Sequence, residues 1–157
     1  MPAACRILKL MKKSTTDNSP VWMDTWGWVA LGDRGEKYHK DITVLYEQAI
    51  TGQILTSDYI LDETITLLFR RLPFDTARKF TWALLKAVQE GYVQLRQVTS
   101  SAFEAAWDLR LRYSDKPDVS FTDFTSFALM KEHGIRRVVT QDRHFEQIGF
   151  GFHLLPS

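Results

Sequence analysis

Four acidic residues stand at places where a fold can gather them. Asp24 closes the apolar run VWM, Glu63 lies early in the stretch YILDETITLLFRRL, Asp123 opens FTDFTSFALMKEHG, and Asp142 follows RRVVT. Carboxylates forced together repel one another and cannot all stay ionised in a partly buried pocket. A divalent cation removes that conflict. An all-oxygen donor set suits Mg²⁺ or Mn²⁺ and disfavours zinc, which takes His and Cys. A water beside such a cation, oriented by a spare carboxylate, can attack a phosphodiester in line, while the cation neutralises charge on the leaving oxygen.

Each acid also has a plainer reading. Asp24 can cap a turn. Glu63 can be an acid near a helix start, favoured by the macrodipole. Asp123 follows Ser120 by three residues, the spacing of a capping box. Asp142 can cap the turn before His144. What separates the two readings is convergence, since four independent caps have no reason to share one edge of a fold.

Other groups carry weaker chemistry. His39, His133, His144 and His153 form no pair at metal-binding spacing, and Cys5, the only cysteine, lies far from them. Neither a zinc site nor a Cys–His nucleophile is expected. Arg70, Arg71, Lys116, Arg136, Arg137 and Arg143 are candidate phosphate contacts, with Arg143 best placed beside Asp142. Trp26 and Trp28 read as core residues, Trp26 having the alternative of a stacking face for a base. Asp24 as a phosphorylated nucleophile is disfavoured: that chemistry commonly wants a second acid two residues on, where Trp26 stands, and no Gly-rich phosphate loop is present.

The elements that must position the acids follow from periodicity and stop signals. Strands are expected at VWM, QILT, YVQLRQV, RRVVT and FHLL, the last at a sheet edge. WGWVALGDRG reads as a connection with a turn at Gly32 and Gly35. Helices are expected from about Lys37 to Thr51, over YILDETITLLFRRL with Ser57 and Asp58 as caps, over TARKFTWALLKAVQEG with Asp75 as cap, over AAWDLRLRY behind a Ser101–Glu104 capping box, and over FTDFTSFALMKEHG. DRHFEQIG reads as a short turn or helix. Strands alternating with helices imply an α/β fold with parallel strands and right-handed crossovers. In such sheets ligands bind outside the carboxyl ends of the strands, where all four acids fall.

The bulk numbers agree with one globular domain. The chain has 157 residues, 45% of them hydrophobic and 25% charged. A net charge of +1 gives no broad pull toward nucleic acid or membrane, so an RNA partner must be held by a local patch or by metal. One cysteine excludes an internal disulfide and suits a reducing compartment. No apolar run reaches membrane-spanning length. The expected organisation is a flexible basic leader over residues 1–20 and one domain over 21–157, in the cytoplasm. The apolar series Leu67, Leu68, Phe69, Leu72 and Trp82, Leu84, Leu85, Val88 is expected to be core or subunit interface.

The runs VWMDT, LDETITLLFRRL, SFTDFTSFALMKEHGI and VVTQDRHFEQIGF together resemble a PIN-domain ribonuclease, in its toxin-like (VapC-like) branch, from about Val21 to the C-terminus. The resemblance implies a three-layer α/β/α sandwich with a mostly parallel central sheet. It makes Asp24, Glu63, Asp123 and Asp142 the catalytic, metal-binding acids, with Thr140 as a supporting hydroxyl. It implies Mg²⁺- or Mn²⁺-dependent endonucleolytic cleavage of single-stranded RNA leaving a 5′-phosphate. It also implies a homodimer and a small antitoxin protein as partner. The sequence departs from the pattern two residues after the first acid, where Ser or Asn is usual and Trp26 stands. That leaves Thr25 as the local hydroxyl. Asp118 is a further acid that the fold can bring near. The alternative is a non-catalytic RNA-binding or adaptor module on the same fold, motivated by Trp26 and the near-neutral charge.

Overall fold

The computed structural model describes residues 19–49 and 51–157, so the leader expected over residues 1–20 lies almost wholly outside the described residues. Five short strands form one sheet: β1 (Val21–Met23), β2 (Ile54–Ser57), β3 (Val93–Arg96), β4 (Arg137–Val139) and β5 (His153–Leu155). Their order is β3-β2-β1-β4-β5 and every neighbouring pair is parallel. The expected edge position of the last strand holds. β1 is apolar without alternation, and both β1 and β2 are buried throughout, as strands covered on both faces must be.

Seven helices among the described residues connect and cover the sheet. They are α1 (Thr25–Gly32), α2 (His39–Gln48), α3 (Asp58–Arg71), α4 (Phe74–Gln89), α5 (Ser100–Arg112), α6 (Phe121–Glu132) and α7 (His144–Gln147). The steps β1 to β2 to β3 run one way across the sheet, and the steps β3 to β4 to β5 run the other. Right-handed crossovers therefore put α1 to α4 on one face and α5 to α7 on the other. Packing agrees: α1 lies against α2 and α3, α3 against α4, and α5 against α6. The result is the expected α/β/α sandwich. Trp22, Trp28, Tyr46, Phe124, Phe127 and Phe145 are fully buried in its two core layers. No helix among the described residues is long and apolar enough to cross a membrane.

Three local expectations change. The run after Asp24 is a helix rather than a connection. Thr25, Gly27, Trp28, Val29, Ala30 and Leu31 are all buried, so α1 has no polar face and no 3.6-residue pattern to read. Gly27 is where it crosses the sheet closely, since a Cβ there would lie 2.4 Å from Met23 Sδ and 2.9 Å from Val139 Cγ1. The cap of α4 is Pro73, and Asp75 sits inside the first turn, paired with Arg78 and Lys79. The cap of α5 is Thr99, whose Oγ1 accepts from Ala102 N at 3.2 Å, so the expected Ser101–Glu104 box does not form. Ser57 caps α3 as expected. The apolar series divides: Leu68 and Leu84 are buried, whereas Phe69, Trp82 and Leu85 are exposed.

Candidate active site

β1 and β4 lie side by side, and the chain leaves them in opposite directions across the sheet. This is the topological switch point, where the carboxyl ends of an open parallel sheet leave a crevice. Asp24 follows β1, and Thr140 and Asp142 follow β4. Pairing of Met23 with Val139 brings the two strand ends level. The fully buried Thr140 then donates its hydroxyl to Asp24 Oδ2 at 2.8 Å and accepts from Asp142 N at 3.0 Å. One side chain thus fixes both strand-end acids. Asp24 occupies the N-cap position of α1 but makes no side-chain capping bond, so the plain turn-cap reading fails for it.

Two helices supply the walls. Asp123, 8% exposed, sits in the first turn of α6 and forms a capping box with Ser120: Asp123 N donates to Ser120 Oγ at 3.1 Å, and Ser120 N to Asp123 Oδ2 at 3.4 Å. It is a cap and a member of the acid group at once. Asp142 has the same double role, since its Oδ1 accepts from His144 N at 2.9 Å. Glu63, half-buried in α3, takes a hydrogen bond from the Thr122 side chain of α6, so the helices of opposite faces meet above the sheet edge.

The four acids feel one another in every pairing. Burial, with smaller contributions from the Glu63 and Asp142 charges, pushes the Asp24 carboxyl up to about 6 despite hydrogen bonds from Thr140 and the Thr25 backbone. Burial, then the charges of Asp24 and Asp142, pushes Asp123 up to about 8. Glu63 is also raised, first by desolvation. Crowded carboxylates of this kind fit a divalent cation, which would replace the protons they otherwise retain. Thr25 adds a second sign: its Oγ1 is buried beside Asp24 with no hydrogen-bond partner in the protein. Asp123, Asp142 and His144 can each offer one donor atom with all three atoms within 4.8 Å of one another. The group can therefore hold a metal.

The acids open into a cleft of about 450 Å³. Thr25 and Asp118 line it, as does Trp26, which packs edge-on against Tyr38 at 5.4 Å between ring centres. Trp28, by contrast, is fully buried and donates from Nε1 to Thr56 Oγ1 at 3.0 Å. The two tryptophans split between rim and core. Arg143 does not line the cleft: its side chain is 81% exposed and lies 3.7 Å from Glu146. Arg71 does line it, paired to Glu36 at 3.1 Å. Sequence reasoning missed His144 and Thr122. The signal for His144 was its place two residues beyond Asp142, in a turn that folds the side chain back. Nothing local marks Thr122 apart from its neighbour Asp123.

Comparison with known proteins places this geometry among relatives. The family model of the PIN domain matches residues 21–151. The chain is 34% identical over 130 residues to the 23S rRNA-specific endonuclease VapC20 of Mycobacterium tuberculosis, found in two strains, covering 83% of this chain and 95% of that protein. The crystal structure of VapC20, described as a sarcin-ricin loop cleaving toxin, superposes with a TM-score of 0.72 at 33% identity over the same shares.

Proposed function

The chain belongs to the PIN domain family, in its VapC-like branch, and from that premise we propose that it is a divalent-metal-dependent endoribonuclease serving as the toxin of a toxin–antitoxin pair. Asp24, Glu63, Asp123 and Asp142 are its catalytic and metal-holding acids. One observation carries this reading: acids from two strand ends and from helices on opposite faces of the sheet couple electrostatically in one cleft at the switch point.

A bound Mg²⁺ or Mn²⁺ would supply charge to draw in a scissile phosphate and to make a water acidic enough to attack it. The protein does the rest. Thr140 holds the Asp24 carboxylate and the Asp142 backbone in one arrangement. Thr122 steadies the Glu63 carboxylate, which would help to hold the ion and orient the attacking water. Arg71 offers charge to the RNA backbone at the rim and Trp26 a face for a base.

The substrate follows from chemistry and kinship. With the chain's net charge near zero, affinity for RNA must come from a local basic patch or from metal held in this acidic cleft. The specificity of the VapC20 relative makes a 23S rRNA sarcin-ricin loop the first target to test. The protein partners are a small antitoxin and a second copy of the chain. Exposed apolar side chains on α4 and α5, Trp82 at 55% and Trp107 at 50%, are available to them. The compartment is the cytoplasm.

The test is cleavage of that RNA loop by the full chain with Mg²⁺ or Mn²⁺, with and without chelator, beside Asp24→Asn and Asp142→Asn. Cleavage that needs metal and both acids supports the reading. Full activity in either folded variant would overturn it, and Mn²⁺ binding without any cleavage of RNA would favour an adaptor module instead.

A further inference from the structure

His144 brings the one imidazole among the residues that line the cleft, and the carboxylate chemistry does not use it. Its imidazole lines the cleft, and Nδ1 lies 2.9 Å from Asp142 Oδ1. The two are close but not aligned to share a hydrogen bond, and that nitrogen is buried with no partner in the protein. Asp142 Oδ1 is already engaged by the His144 backbone N–H at 2.9 Å, which locks the turn between them. The next residue, Phe145, is fully buried and packs edge-on against Phe127 of α6 at 4.8 Å. α6 also carries Asp123. One aromatic contact therefore ties the imidazole to both acids, and the donor atoms of Asp123, Asp142 and His144 come within 4.8 Å of one another.

We propose that His144 is a metal ligand, giving the acid cluster one imidazole nitrogen and a preference for Mn²⁺ over Mg²⁺. The spacing suits it: adjacent ligands of an octahedral ion with bonds of 2.0–2.1 Å lie about 2.9 Å apart, the separation of Nδ1 and Oδ1. The donor chemistry suits it too. Mg²⁺ favours oxygen and water, whereas imidazole nitrogen favours the later divalent ions, Mn²⁺ binding it more readily than Mg²⁺. The inference rests on the metal-dependent reading above and adds a donor and a selectivity to it.

The experiment is pulsed electron paramagnetic resonance on the Mn²⁺ complex of the full chain, with calorimetric titration of Mn²⁺ and Mg²⁺, for the wild type, His144→Ala and His144→Asn. The expected result is strong ¹⁴N modulation in the wild type that disappears in both variants. The ratio of Mn²⁺ to Mg²⁺ affinity should also fall about tenfold, the low end of what loss of a metal-site partner costs. Bound Mn²⁺ without directly coordinated ¹⁴N in the wild type, or an affinity ratio unchanged in folded variants, would overturn the proposal and leave His144 as a prop for Asp142. Absence of Mn²⁺ binding in the wild type would instead overturn the metal-dependent reading itself, and this proposal with it.

Discussion

The floor of the cleft and its walls are built by different means. The floor is backbone: β1 and β4 pair in parallel register, Asp24 N donates to Val139 O at 3.3 Å, and Thr140 ties both strand ends through one hydroxyl. The walls are helix phase. Glu63 and Asp123 reach the cleft because they fall on the inward side of α3 and α6, where one residue of shift rotates a side chain by about 100°. A floor set by strand register has no neighbouring state to relax into. Walls carried on helices can shift by a fraction of an ångström and still serve.

Substitutions in the two regions should therefore differ in kind. The largest effect is expected at the floor: Asp24→Asn or Asp142→Asn should lower kcat by more than about 10²-fold in RNA cleavage assays, beyond the loss typical of a supporting residue. Thr140→Val should follow, with a loss of about 10–100-fold, whereas Thr140→Ser keeps the hydroxyl and should stay near wild type. Equal activity in the Val and Ser variants would break the claim that this hydroxyl sets the floor. Gly27→Ala tests the same region by packing alone. Its Cβ would meet Met23 and Val139, the residues that end β1 and β4, and should cost about 1–3 kcal/mol in denaturant unfolding. The smallest effect on chemistry is expected at the rim. Trp26→Ala should raise KM about tenfold, one stacked base being worth about 1–3 kcal/mol, with kcat nearly unchanged. A kcat loss without a KM change would move Trp26 from the rim into the floor.

The same contrast explains what could be read from the sequence. Asp24 was legible because an acid closing a buried apolar strand has no cheap structural reason to be there. Asp123 and Asp142 looked ambiguous between cap and site; both form the caps, and both line the cleft. α1 was illegible because a helix buried along nearly its whole length shows no period, and Gly32 at its end, with Gly35 beyond it, reads as a turn signal. Arg143 looked best placed by adjacency to Asp142, yet one residue of turn carries it to solvent. Arg71, remote in sequence, arrives at the cleft from the end of α3. His144 was missed by a search for His–His and His–Cys pairs, when its partner is the acid two residues before it.

The central claim, that folding crowds these carboxylates and a cation relieves them, is tested most directly by thermal unfolding of the metal-free protein across pH, with and without Mn²⁺. Asp24 and Asp123 have folded-state values of about 6 and about 8, above the values near 3.9 of an unfolded chain. The native state thus holds protons that the unfolded chain releases. Their contribution is fully present below about pH 4 and is lost as pH rises through about 6 and about 8. The account predicts that Tm of the metal-free protein falls by about 5 °C or more between pH 5.5 and 8.5, and that Mn²⁺ restores it at pH 8.5. A Tm that is level or rising over that window and unmoved by Mn²⁺ would contradict it.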